Sequence, residues 1–309
     1  MSNDVVIRHH HDSDGITTAF FTAHHLDWNC KLECWDGKFG ESKGLKKGDW
    51  MVDMHPTEII PGMNIVDHHG EYGLVTNYHL IYGPEPASFL AWREFKEDIP
   101  KDQWWKLCIG VVGDGQPELI PYEVFESCPR LLVPHKTWGG AKNYGKDVAL
   151  YFYPTYKMLS SPINRLLKTG NSDGALRLIT EAKSPIDILE DKEAGVAKTT
   201  LKKERDIILR DCDVKKFNNL NLVLFYSKYR MQGEVASIIE GIDNITTLAI
   251  NVESGRGSLR GELALYWKEK LKGLEYLNID GHPGFMGASL DMKKKNPEGL
   301  VDDLISLLS

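Results

Sequence analysis

VVIRHHHDSDG, residues 5–15, decides how this chain reads. The apolar run Val5-Val6-Ile7 marks a short buried strand over 4–8, and Gly15 opens a helix running to about Leu26. Between them, His9 to Gly15 crowds three imidazoles and two carboxylates into a strand-to-helix turn. A purification tag is a longer, uniform histidine run and does not continue into Asp-x-Asp-Gly. A calcium loop fails on spacing: counted from His10, the twelfth position is Phe21, where a bidentate Glu is required. Two readings stay open on this stretch alone. Asp14 caps the helix that begins at Gly15, or the run is one wall of a metal site.

Working outward, Asp49-Trp50-Met51-Val52-Asp53 and Asn64-Ile65-Val66-Asp67 repeat one pattern, a short apolar run ending in Asp. Residues 30–35 form a further strand, and helices are predicted at about 86–97 and 101–112. Strands alternating with helices predict a parallel α/β sheet. In such sheets ligands sit beyond the carboxyl ends of the strands. The HHHDSDG run, Asp53 and Asp67-His68-His69 all fall at such ends, and Asp114 closes another apolar run. Carboxylate and imidazole together are costly to bury without a partner. Gathered in space, they form the donor set that hard-to-borderline divalent cations such as Mn²⁺ prefer.

The remainder organises as three domains: 1–155, a helical connector over 156–215, and a smaller C-terminal α/β domain over 216–309. LLKTGNSDGALRLITEA and GVAKTTLKKERDIILRD carry helical apolar spacing, β character returns with LNLVLFYSKY and TTLAINV, and GLVDDLISLLS reads as a closing amphipathic helix. The net charge of −7 disfavours gripping long nucleic acid through the overall field. Five cysteines without a Cys-x-x-Cys pair do not make a disulfide framework. No apolar stretch approaches the ~20 residues that span a bilayer. No secretory signal is read, and a cytoplasmic setting away from membranes is expected.

In order and spacing, His10-x-Asp12-x-Asp14-Gly15, Asp53, Asp67-His68-His69 and Asp114 resemble the motif series of the DHH phosphoesterase superfamily. That superfamily includes RecJ-type exonucleases, nanoRNases that also act on pAp, cyclic-dinucleotide phosphodiesterases and manganese-dependent pyrophosphatases. Gly281-His282-Pro283-Gly284 is similar to the glycine-and-histidine loop of the DHH-associated domain, and Ser258-Leu259-Arg260 to its Ser-x-Arg. The resemblance implies two divalent ions, Mn²⁺ or alternatively Mg²⁺, bridged by Asp53. His10 and Asp12 are then expected on one ion, and Asp14, His68 and Asp114 on the other. Asp67 is expected to orient His68, and His69 to face the substrate phosphate. His9, His11 and His55 are expected as neighbours. Arg260, Gly281, His282 and Gly284 are expected to bind substrate, with the active site in a cleft between the two α/β domains.

Two bound ions activate water and stabilise the attacking and leaving oxygens of a phosphate ester, so no Ser, Cys or Lys nucleophile is needed. No G-x-x-x-x-G-K-[ST] phosphate loop occurs. The associated-domain loop argues against the pyrophosphatase branch, and charge and length argue against a processive nuclease. The expected activity is hydrolysis of short oligonucleotides or small phosphorylated nucleotides. The alternatives are a cyclic-dinucleotide or pAp phosphohydrolase, or a non-catalytic nucleic-acid-binding scaffold of the same fold. Whether the chain forms a homodimer is left open by the sequence.

Overall fold

The computed structural model describes residues 5–35, 37, 39–70, 72, 77–138, 150–282 and 284–308. In chain order the elements are β1 (Val5–His9), α1 (Ser13–His25), β2 (Cys30–Cys34), β3 (Trp50–Val52), β4 (Asn64–Asp67), β5 (His79–Tyr82), α2 (Ala87–Phe95), α3 (Leu107–Gly113), α4 (Tyr122–Ser127), β6 (Pro134–Trp138), β7 (Leu150–Pro154), α5 (Ser160–Lys168), α6 (Ser172–Glu181), α7 (Pro185–Leu189) and α8 (Lys192–Asp211). There follow β8 (Asp213–Phe217), β9 (Leu220–Phe225), α9 (Gln232–Asp243), β10 (Thr246–Asn251), β11 (Arg256–Arg260), α10 (Ala264–Leu271), β12 (Leu277–His282), β13 (Phe285–Leu290) and α11 (Pro297–Leu308). Packing divides the chain into two units, Met1–Thr137 with Phe152–Lys198, and Trp138–Tyr151 with Thr199–Ser309.

The first unit is built on a five-stranded sheet of order β2-β1-β3-β4-β5, parallel throughout. Alternation along the short strands splits its apolar residues between two cores. Ile7, Trp50, Val52, Val66 and Ile81 face α1 and α2. Met51 and Ile65 face a smaller cluster with Leu45, Met54 and Met63. α1 is almost wholly buried despite its threonines, because Thr17, Thr18 and Thr22 each return the hydroxyl to the carbonyl four residues earlier. Burying these hydroxyls without such acceptors would be costly.

Two details differ from the sequence reading. The helix predicted over 101–112 is a 3₁₀ turn, Lys101–Lys106, that passes into α3. β5 is a strand that the sequence did not signal, four residues with only Ile81 buried. The first helices of the segment read as a connector carry buried apolar stripes, and Ile163, Leu166, Ala175, Leu178, Ile179 and Ile188 of α5–α7 join the first core.

The second unit is a six-stranded sheet of order β12-β13-β11-β10-β9-β8 with helices on both faces. β9 and β10 run parallel, and the other neighbours pair antiparallel. Leu220, Leu222, Leu248 and Ile250 point to α10 and α11, packing with Trp267, Leu300 and Leu304. Val223, Phe225 and Ala249 point the other way, to Leu201 and Ile208 of α8 and Val235 of α9. Both faces of these strands are covered, which explains why LNLVLF reads as a continuous apolar run. Among the described residues, no helix is long and apolar enough to cross a membrane.

Candidate metal centre

β1, β3 and β4 lie side by side and deliver their following residues to one edge of the first sheet. The His10 N–H donates to Val52 O at 3.3 Å and the Asp53 N–H to Val66 O at 2.7 Å, so the ladder continues past the strand ends into the site. Asp53 then turns with φ +58°, in the left-handed region that ordinary residues avoid. Such strain persists where the surroundings over-determine it, and it clusters at functional sites.

The turn after β1 brings α1 against the strand end at Gly15. A Cβ there would lie 2.5 Å from His10 O and 2.8 Å from His10 N, so only glycine allows the approach. The helix begins at Ser13, two residues earlier than the Asp14-cap reading supposed. Its cap is Asp12, whose Oδ1 accepts from the Gly15 N–H at 2.9 Å. Asp14 instead caps another helix: its oxygens accept from the Ala87 and Ser88 N–H groups at 2.8 and 3.1 Å, at the start of α2.

Each N-terminal ligand candidate meets at least one other. His10 Nδ1 lies 2.8 Å from Asp12 Oδ2 and 3.4 Å from Asp53 Oδ2. His68 Nε2 faces three carboxylates, at 3.2 Å from Asp53 Oδ1, 3.6 Å from Asp114 Oδ2 and 3.9 Å from Asp14 Oδ2. His69 Nδ1 is 3.8 Å from Asp53 Oδ1. Among the described residues, three metal-competent trios result: His10–Asp12–Asp53, Asp53–His68–His69 and Asp14–His68–Asp114. Asp53 and His68 each belong to two of them. His9, His11 and His55 direct a ring nitrogen elsewhere, to His10 O at 2.8 Å, Ser172 Oγ at 3.1 Å and His69 O at 3.2 Å respectively.

Asp67 departs from expectation. Its Oδ1 is 2.7 Å from His69 Nδ1 and its Oδ2 accepts from the Tyr72 hydroxyl at 2.7 Å. The orienting contact expected for His68 is therefore found on His69, because the side chains of successive residues leave the strand end on opposite sides. Tyr72 and Gly110 were not singled out from the sequence. A Cβ at Gly110 would overlap Ser88 Oγ and lie 2.8 Å from Asp14 Oδ1, so α3 makes room for the carboxylate.

The electrostatics fit a cation. Burial pushes Asp14 well above the usual carboxylate range, and Asp53 and Asp114 push it further. Burial and the charge of Asp53 lift Asp114 to about 6. Burial opposes charge on His68, yet Asp53, Asp14 and Asp114 raise it to about 10. Asp53 is pushed up by burial but held far below its ordinary value by the facing His10 and His68 imidazoles. Charged imidazoles thus sit where positive charge is demanded. Among the described residues, both oxygens of Asp53 and Oδ2 of Asp114 are buried without accepting an aligned hydrogen bond. Buried carboxylate oxygens ordinarily have donors or a bound cation. Imidazole and carboxylate together suit a hard-to-borderline divalent ion.

In the second unit, sheet register gathers the other candidates. Arg260 pairs with Phe285 and His282 pairs with Phe285, so β11 and the β12–β13 turn adjoin. Gly281 and Gly284 take φ +130° and +81° at that turn. Arg260 Nη1 donates to Leu259 O at 3.0 Å and Met286 O at 2.9 Å, and burial lowers its guanidinium to about 10. The side chain of His282 lies outside the described residues.

No protein-family model matches the chain, and no curated protein matches it. Solved structures do. RecJ from Thermus thermophilus in complex with Mn²⁺ superposes with a TM-score of 0.65 at 16% identity, covering 98% of this chain and 51% of that one. The same Thermus protein in complex with Mg²⁺ gives a TM-score of 0.59 at 17% identity over 99% of this chain and 49% of that chain. This chain therefore spans about half the length of the Thermus protein. The DHH domain of a ribosomal-protein family member matches with a TM-score of 0.58 at 14% identity, over 99% of this chain and 86% of that one. An exopolyphosphatase-related protein from Bacteroides fragilis matches with a TM-score of 0.50 at 15% identity, over 98% and 91%. These likenesses show the fold, which the chain shares with RecJ, the DHH domain and the exopolyphosphatase-related protein.

Proposed function

We propose that this chain is a divalent-metal-dependent phosphoesterase acting on phosphodiester or phosphomonoester bonds of short oligonucleotides or small nucleotides. The observation that carries the reading is the convergence of three ligand trios on Asp53 and His68. His10, Asp12 and Asp53 would hold one ion, and Asp14, His68 and Asp114 a second, with Asp53 common to both. The likeness to RecJ structures holding Mn²⁺ and Mg²⁺ supports either ion, and Mn²⁺ is the one proposed. When bound, the ions would supply an activated water and offset the charge gathering on the reacting phosphate.

The chain's own groups would divide the remaining work. Asp53, held at a strained turn, sets the spacing of the two half-sites. Asp67, itself fixed by Tyr72, holds Nδ1 of His69 and so directs Nε2 toward a substrate oxygen, where a charged imidazole stabilises the anion. Burial and the facing carboxylates set His69 in opposition, and the carboxylates win, so its imidazole is raised toward the charged form. Arg260 with Gly281, His282 and Gly284 would recognise phosphate through a guanidinium fork and close backbone approach.

A candidate ligand stands at every station of the motif series, which favours an enzyme over a non-catalytic scaffold. The test is a panel of dinucleotides, pAp, cyclic dinucleotides, pyrophosphate and polyphosphate, each with Mn²⁺, Mg²⁺ or EDTA. Metal-dependent release of phosphate or mononucleotide from a nucleotide substrate is expected. No bound metal and no release from any of them would overturn the reading.

A further inference from the structure

One large aromatic side chain beside the metal centre has no part in the ligand set. Phe39 follows β2, and its ring meets His10 edge-on at 5.2 Å between centroids and His69 edge-on at 5.3 Å. The two imidazoles are 6.4 Å apart, so the phenyl ring closes the gap between a metal-ligand candidate and the phosphate-facing histidine. It is 43% exposed. A ring that size gains most from full burial, so its own packing does not account for its position.

The backbone holds it there. Gly40 takes φ +72°, and a Cβ at that position would overlap the carbonyl of His55. Gly40 O accepts from the Thr57 N–H at 2.7 Å and the Thr57 hydroxyl at 3.2 Å. The stretch carrying Phe39 is thereby clamped to the stretch that follows Asp53. An exposed aromatic fixed in advance at the rim of a polar site is a ready stacking surface, because little is lost in ordering it.

We propose that Phe39 is the platform on which the nucleobase of the substrate stacks while its phosphate sits at the metal centre. This inference rests on the phosphoesterase reading and sharpens it: nucleotide esters are preferred over phosphates that carry no base. Base–aromatic stacking is tolerant of sequence, since every base has a π-face.

Binding tests this apart from turnover. Affinities for AMP and for ribose 5-phosphate are measured by calorimetry with Mn²⁺ for the native protein, Phe39→Ala, Phe39→Leu and Phe39→Trp, with melting curves to verify folding. The native protein is expected to favour AMP by about 10-fold or more. Phe39→Ala and Phe39→Leu should erase that preference while leaving ribose 5-phosphate binding in place, and Phe39→Trp should keep it. An unchanged AMP preference in Phe39→Ala, an equal loss for both ligands, or no native preference would overturn the proposal. Turnover of the substrate panel is read separately: no release from any of its members by the native protein, with the AMP preference intact, overturns the phosphoesterase reading and leaves the stacking platform standing.

Discussion

Asp14 accepts hydrogen bonds from the N–H groups of Ala87 and Ser88, so one carboxylate faces His68 and also caps α2. Helix N-termini favour negative charge. That contact fixes the orientation of a carboxylate whose charge burial, Asp53 and Asp114 all disfavour. It also ties the site to a helix lying far away in sequence.

Asp53→Asn keeps the shape of the side chain, and Asn tolerates positive φ, so a cooperative melt should survive. Losing the shared charge should weaken Mn²⁺ binding at least about 100-fold, more than loss of a mere orienting partner costs. Titration calorimetry and metal content after dialysis measure this. Native-like affinity would remove Asp53 from the centre of the site.

Gly110→Ala should act on Asp14 without replacing a ligand. The new methyl group meets Ser88 Oγ and Asp14 Oδ1 in a packed interior. Overpacking of this kind costs about 1–3 kcal/mol. Urea unfolding should register that loss, together with weaker metal binding as the carboxylate shifts. A variant with unchanged stability and affinity would show that α3 yields freely.

Tyr72→Phe removes the donor to Asp67 Oδ2, a buried oxygen. An acceptor left unsatisfied in this way costs about 1–3 kcal/mol. Looser control of His69 should lower turnover by about 10- to 100-fold, the usual effect of an orienting partner. Steady-state kinetics on the best nucleotide of the panel would show it, with KM changing less than kcat.

Lys106 gives a stability signature away from the metal centre. Its side chain is fully buried, with Nζ 4.2 Å from the Phe20 ring centroid, and burial lowers its ammonium to about 8. The unfolded chain therefore binds more protons than the fold between about pH 8 and the ordinary lysine value. Stability attributable to Lys106 should rise with pH through that window and be lowest below it. Lys106→Met should flatten this rise and stabilise the protein at pH 7 by about 1–3 kcal/mol. Urea midpoints of both proteins at pH 7 and 9.5 decide the matter, and a parallel pH response would refute it.

Local order decided most of what could be read in advance. The apolar runs ending in Asp specify parallel strands whose carboxyl ends carry chemistry, because period-two burial and backbone pairing act over a few residues. His10, Asp12, Asp14, Asp53, His68 and Asp114 were legible as one set from their order along the chain. Their partners were not. The pairing of Asp67 with His69 and Tyr72 depends on which way each side chain leaves a strand end. The room for Asp14 beside Gly110 depends on α3 docking across the first core. Phe39 came to notice only once a loop clamped at Gly40 set its ring between two imidazoles. Sequence periodicity records which faces are buried; it carries no record of what a buried face meets. Asp14 beside Gly110 and Phe39 beside His69 join residues distant along the chain, and tertiary packing alone brought them together.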